Sequence, residues 1–183
     1  HSYLSKDNNN SKNEIIDQTE QEPTIERVLS NSCFGITVKD DIDSVIGGND
    51  MVTVYRNSDG LYTYKMEQGD YNTLLELFQE KTIEKLDQIA ARSSTADAIE
   101  YNNDFKTITL IFYSKSDFER MGDFKIKTEI GEIASAFRFF KYGDIDSVRI
   151  HIECKAKNGD ELFYYTYPDR MLLALWKYQE QTK

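Results

Sequence analysis

Residues 144–167, DIDSVRIHIECKAKNGDELFYYTY, state their own geometry. Read with a period of two, Val148, Ile150, Ile152 and Cys154 fall on one face and Arg149, His151, Glu153 and Lys155 on the other, the pattern of a half-buried strand. Asn158-Gly159 predicts a two-residue type I′ turn, because both central residues need positive φ and Asn-Gly tolerates it best. That turn sets a register in which Cys154 opposes Phe163, Ile152 opposes Tyr165 and Ile150 opposes Tyr167. Pro168, with no N–H for the ladder, ends the second strand, and Asp169 is the expected N-cap of a closing helix. Met171, Leu172, Leu175, Trp176 and Gln179 fall along one stripe of that helix.

The same order of elements occurs upstream. Asp41-Ile42-Asp43-Ser44-Val45 recurs as Asp144-Ile145-Asp146-Ser147-Val148, and a hairpin followed by a leucine-bearing helix lies downstream of each copy. A five-residue identity is within reach of chance, so a true duplication stays open and the shared order carries the comparison.

In the first half, Thr24 caps a short helical pattern through Ile25, Val28 and Leu29, and residues 36–38 read as a strand. Asp40 or Asp41 then caps a short helix over Ile42, Val45 and Ile46, ended by Gly47-Gly48. The hairpin fits a three-residue Ser58-Asp59-Gly60 loop, which sets Val52 against Met66 and Val54 against Tyr64. Asp70 is the expected cap of the next helix, which either breaks near Glu80, where Thr82 interrupts the apolar stripe, or continues to Ala91. Residues 92–105 read as a connecting loop with a short strand at 98–101. Residues 106–113, apolar on both sides, predict a central strand. A turn of helix at 117–121, an extended stretch at 124–127 and a Thr128-capped helix through Ile130, Ile133, Ala134, Phe137 and Phe140 complete the chain up to Gly143.

The expected fold class is α+β, two similar strand-helix-hairpin-helix blocks whose antiparallel hairpins pack against helices. The organisation is a flexible tether at 1–22, blocks at 23–91 and 106–183, and a connector at 92–105, with the blocks forming one domain or two.

With 183 residues the chain can bury a core without staples. A net charge of −10 and no Lys/Arg run with interleaved aromatics argue against a nucleic-acid surface. The longest apolar run, 171–176, is far short of the roughly 20 residues that span a bilayer. Residues 1–22 are almost all polar and cannot offset their ordering entropy by burial. With a first residue His1 rather than Met, their composition resembles that of surface-anchored lipoproteins of Gram-positive bacteria. The resemblance implies an extracytoplasmic, cell-surface location with membrane contact only through an N-terminal anchor. A frayed end of a cytoplasmic protein is the alternative.

No spacing fixes a chemistry. There is no CxxC, phosphate loop, nucleophile elbow or EF-hand loop, so neither cofactor nor metal is expected. Cys154 reads as a small buried hydrophobe, and a disulfide to Cys33 stays open. His151 beside Glu153 could serve a hydrolase only with a nucleophile that the sequence does not supply, and an exposed strand histidine is the simpler reading. The outward aromatics Tyr55 and Tyr62 in the first hairpin, with Leu162 and Tyr164 in the second, suit a partner interface. The expected function is a non-enzymatic, tethered extracytoplasmic domain binding a protein or cell-envelope ligand. A cytoplasmic acidic inhibitor or immunity-type protein is the alternative.

Overall fold

The computed structural model describes residues 22–29, 33–120 and 124–181, so nearly all of the expected tether, and Met121, lie outside the described residues. The chain is α+β. Its elements run β1 (Thr24–Leu29), α1 (Cys33–Ile46), β2 (Thr53–Arg56), β3 (Tyr62–Glu67), α2 (Gln68–Arg92), β4 (Ala96–Tyr101), β5 (Thr107–Phe112), α3 (Lys115–Arg120), α4 (Phe124–Tyr142), a 3-10 turn (Ile145–Val148), β6 (Ile150–Ala156), β7 (Glu161–Tyr167) and α5 (Arg170–Gln181). Two sheets form, one ordered β1-β3-β2 and one ordered β4-β5-β6-β7.

The second hairpin has the expected register, with Cys154 opposite Phe163, Ile152 opposite Tyr165 and Ile150 opposite Tyr167. Its turn differs from expectation. Gly159, at φ 95°, is the turn residue with positive φ, its N–H donates to Ala156 O (2.9 Å), and Ala156 N–H donates to Asp160 O (2.9 Å). This is a three-residue loop with a left-handed glycine rather than a two-residue type I′ turn. A register shift between Cys154 and Lys155 leaves Leu162 as an extra residue in β7, which restores the pairing beyond it. The first hairpin has the loop the sequence predicts: Gly60 has φ 85°, Asn57 N–H reaches Leu61 O at 2.7 Å, and Val54 lies opposite Tyr64.

Several local expectations are overturned. Residues 24–29 form β1, not a helix, because β3 offers them a full antiparallel partner from Thr24↔Glu67 to Leu29↔Tyr62. Residues 36–38 lie inside α1, where Phe34, Val38, Ile42 and Ile46 recur every fourth residue and bury one continuous stripe. Helix α2 starts at Gln68, before Asp70, and runs unbroken to Arg92. Thr82 is accommodated inside it because its hydroxyl donates to Phe78 O (2.8 Å). Residues 124–127 begin α4 rather than an extended stretch, so Thr128 lies inside that helix instead of capping it. The strand expected at 98–101 within the connector does form, as β4, but it starts earlier, at Ala96. Asp169 does cap α5, accepting from Leu172 N–H at 2.8 Å. Only Trp176 of the expected α5 stripe is fully buried; Met171 and Leu175 face outward.

The duplication is not confirmed. Residues 41–45 sit in the body of α1, whereas 144–148 lead into and form the 3-10 turn. The β-α-β-β-α order does recur, but the pairing differs. In the first half β1 joins the second strand of the hairpin antiparallel, and in the second half β5 joins the first strand parallel.

Helix α4 is the centre of the molecule. Phe137 meets Phe78 of α2 and Phe105 at centroid distances of 5.8 and 4.9 Å, and Phe140 meets Phe78 and Tyr71 at 5.3 and 5.5 Å. Its last carbonyls are capped from the other half of the chain. Arg27 of β1 donates to Phe140 O (2.8 Å) and Lys141 O (3.1 Å), and the Tyr71 hydroxyl donates to Lys141 O (2.7 Å).

Candidate functional site

β7 is an edge strand, and its alternation sends Phe163, Tyr165 and Tyr167 to the helix side of the sheet. There they wall an open groove of about 590 Å³ whose other walls are Thr37 of α1, Lys127, Thr128 and Glu132 of α4, and Leu172 and Trp176 of α5. Gly131 brings α4 close to the floor: a Cβ there would stand 2.3 Å from the Tyr167 ring. The Lys127 ammonium lies 4.9 and 5.1 Å from the centroids of Phe163 and Tyr165. The Tyr165 hydroxyl is enclosed and has no hydrogen-bond partner among the described residues. Burial holds the Tyr165 and Tyr167 phenols well above the usual tyrosine range. The groove therefore offers aromatic faces and one cation. On the outward side of α5, Met171 and Tyr178 are 84% and 65% exposed, so apolar surface continues past this helix.

Acids flank the groove. The carboxyls of Asp41 and Glu132 stand above the ordinary carboxylate range, burial being the first cause in both. Asp41 also feels Asp40 against an opposing Lys85, and Glu132 feels Asp41 and Glu129. A raised folded-state pKa means that the stability contributed is fully present below the unfolded value and is lost as pH rises through the folded one. Glu132→Gln keeps the shape and removes the charge. It is expected to be more stable than the parent at neutral pH and equal to it below the carboxylate range, as urea titrations at the two pH values would read. A neutral-pH loss would show that the charge is used in the fold.

No family model matches this chain. It likewise matches no curated protein and no solved structure.

The four partner residues expected from sequence fall in two places. Tyr55 is exposed on β2 and Tyr62 is half-buried on β3, with Lys39 of α1 over its ring at 4.4 Å, so both belong to the first sheet. Leu162 and Tyr164 lie on β7 but on the side away from the groove, beside Glu153 and Lys155. The groove is not visible in the sequence because α1 and α4 lie far along the chain from β7 and α5. Its one sequence signal was Phe163, Tyr165 and Tyr167 alternating before Pro168.

The opposite face of the second sheet carries Thr109, His151, Glu153, Tyr164 and Thr166, none of them fully buried. His151 Nδ1 lies 2.7 Å from the Tyr164 hydroxyl, and the rings stack with centroids 5.7 Å apart. The Glu153 carboxylate turns instead to Thr109 (3.4 Å) and Lys155 (3.5 Å). The imidazole is thus held by a phenol rather than a carboxylate. Its pKa is lowered, first by burial, then by Lys106 and Arg149, with Glu153 opposing. Cys154 is a free buried thiol of low reactivity, whose pKa burial pushes up to about 11; the side chain of Cys33 lies outside the described residues. Among the described residues no cluster of acids, histidines and cysteines could hold a metal ion, and no helix is long and apolar enough to cross a membrane.

Proposed function

We propose that this chain is a non-enzymatic binding domain whose ligand seats in the groove between β7, α4 and α5. The observation that carries the reading is the Phe163-Tyr165-Tyr167 wall facing Leu172 and Trp176 across an open space of about 590 Å³, the size and lining of a ligand pocket. An apolar group of a protein or cell-envelope ligand would lie on the rings, beside the Lys127 ammonium. The polar sequence of residues 1–22 supports a tethered, extracytoplasmic setting in a bacterium, in which the domain reaches its ligand from an anchored stalk. Nucleic acid is not a partner in this reading, since the net charge is −10.

Trp176 is the one tryptophan of the chain and lines the groove, so its emission reports occupancy directly. The domain, immobilised through its N-terminus, is expected to retain a component of solubilised bacterial envelope that shifts Trp176 emission and is lost on Leu172→Glu. A ligand retained equally by Leu172→Glu but released by Tyr55→Ala and Tyr62→Ala would move the site to the first sheet and overturn the reading.

The acidic charge favours a second reading, a cytoplasmic inhibitor that covers a basic site on a partner enzyme. Its mark is a stoichiometric basic partner recovered from cytosol whose association rate falls steeply with salt.

A further inference from the structure

We propose that the open face of the second sheet, where β5 and β6 begin, binds a phosphate group through Arg149, Lys106 and His151. Arg149 is extended (φ −69°, ψ 128°) just before β6, which by alternation puts its side chain on the face of His151. Lys106 precedes β5 and is tied to the same point: its ammonium donates to Arg149 O at 3.1 Å, and His151 N–H donates to Lys106 O at 2.8 Å. Thr107, His151 and Thr166 form one row across three strands, with the Tyr164 hydroxyl on His151 Nδ1.

These cations lack the partners that so acidic a chain could supply. Asp104, which accepts from Lys106 N–H at 3.1 Å and acts on its ammonium, is also engaged by Arg138 Nη1 at 2.9 Å and by the Tyr142 hydroxyl at 3.1 Å. Glu153 is engaged by Thr109 and Lys155. Arg149 Nε is buried without a hydrogen-bond partner, and among the described residues neither Arg149 nor Lys106 has a carboxylate at ion-pair distance. With 32 acidic side chains in the sequence, two adjacent cations without an ion pair among the described residues are a local inversion of the surface charge. A phosphate oxyanion would supply the missing charge and accept from guanidinium, ammonium and hydroxyl donors together. When the Tyr164 hydroxyl donates to Nδ1, the imidazole proton sits on Nε2 and becomes a further donor.

The groups that act on His151 are Lys106 at the start of β5, Arg149 before β6, Glu153 on β6, Arg138 on α4 from the far side of the sheet, and Tyr164 on β7. Burial first, and then Lys106, Arg149 and Arg138, hold its pKa down, and Glu153 alone opposes them. A bound phosphate reverses that balance. The His151 ring, one of two histidines in the chain and assignable by its absence in His151→Gln, is followed by NMR against pH in chloride, inorganic phosphate or phenyl phosphate at one ionic strength. The His151 pKa is expected to rise by about half a unit or more in phosphate. Arg149→Gln and Lys106→Gln should each weaken phosphate binding about tenfold or more. Leu172→Glu, in the groove on the other side of the sheet, should leave it unchanged, which separates this site from the proposed ligand groove. Equal binding of phenyl phosphate identifies a phosphate borne by a larger molecule, and binding of inorganic phosphate alone identifies the free ion. If Arg149→Gln does not fold, Lys106→Gln and the wild-type titration decide. An unmoved His151 pKa in both phosphates, or full binding by Lys106→Gln, overturns the proposal.

Discussion

Phe137→Ala is expected to cost about 4 kcal/mol of folding stability. Phe137 is 2% exposed and sits edge-on to both Phe78 and Phe105, so truncation empties space between α2, α4 and the β4–β5 turn that no neighbour can refill without moving a helix. Phe105 adds to the loss. It has φ 56°, a left-handed conformation disfavoured for a residue with a Cβ by roughly 1–2 kcal/mol, which its burial against Phe137 offsets. Urea unfolding at constant m-value would read the change. A loss under 1 kcal/mol would mean that the core collapses around the gap and that α4 is not its centre.

Gly131→Ala should lower stability by about 2 kcal/mol even though alanine is the better helix former by about 1 kcal/mol. The new methyl would stand 2.3 Å from the Tyr167 ring, and three ring carbons lie within 2.7 Å of it, so either the ring or the helix must shift. Tyr167 is also part of the groove wall. The same substitution should therefore change Trp176 emission, since the two rings lie 6.3 Å apart. In a Tyr167→Ala background the obstacle is gone, and Gly131→Ala should become neutral or stabilising. Losses that merely add would show that the ring does not fill the space beside Gly131.

What could be read from sequence depended on how far each signal reached. The second hairpin is legible because seven residues alternate cleanly and a glycine marks the return, although the register comes out right through two compensating differences, a loop one residue longer and an extra Leu162. β1 is ambiguous in sequence because Ile25, Val28 and Leu29 over six residues satisfy a helical period as well as a strand, and only the pairing with β3 decides. α1 was split because Ile36, Thr37 and Val38 look like a strand, whereas the stripe from Phe34 to Ile46 holds the helix together. The groove and the cation pair are tertiary objects. Arg149 and Lys106 meet across strands that the sequence separates by an entire crossover, so neither showed as a basic run.

The capping of α4 by Arg27 has a consequence for synthesis. The first sheet and α2 are complete once Arg92 has been made, yet their greasy surfaces around Phe78, and the guanidinium meant for Phe140 O, have nothing to meet until Tyr142 leaves the ribosome. At roughly 5–20 residues per second that is an interval of several seconds, during which the nascent amino-terminal half is a client for chaperones rather than a finished fold.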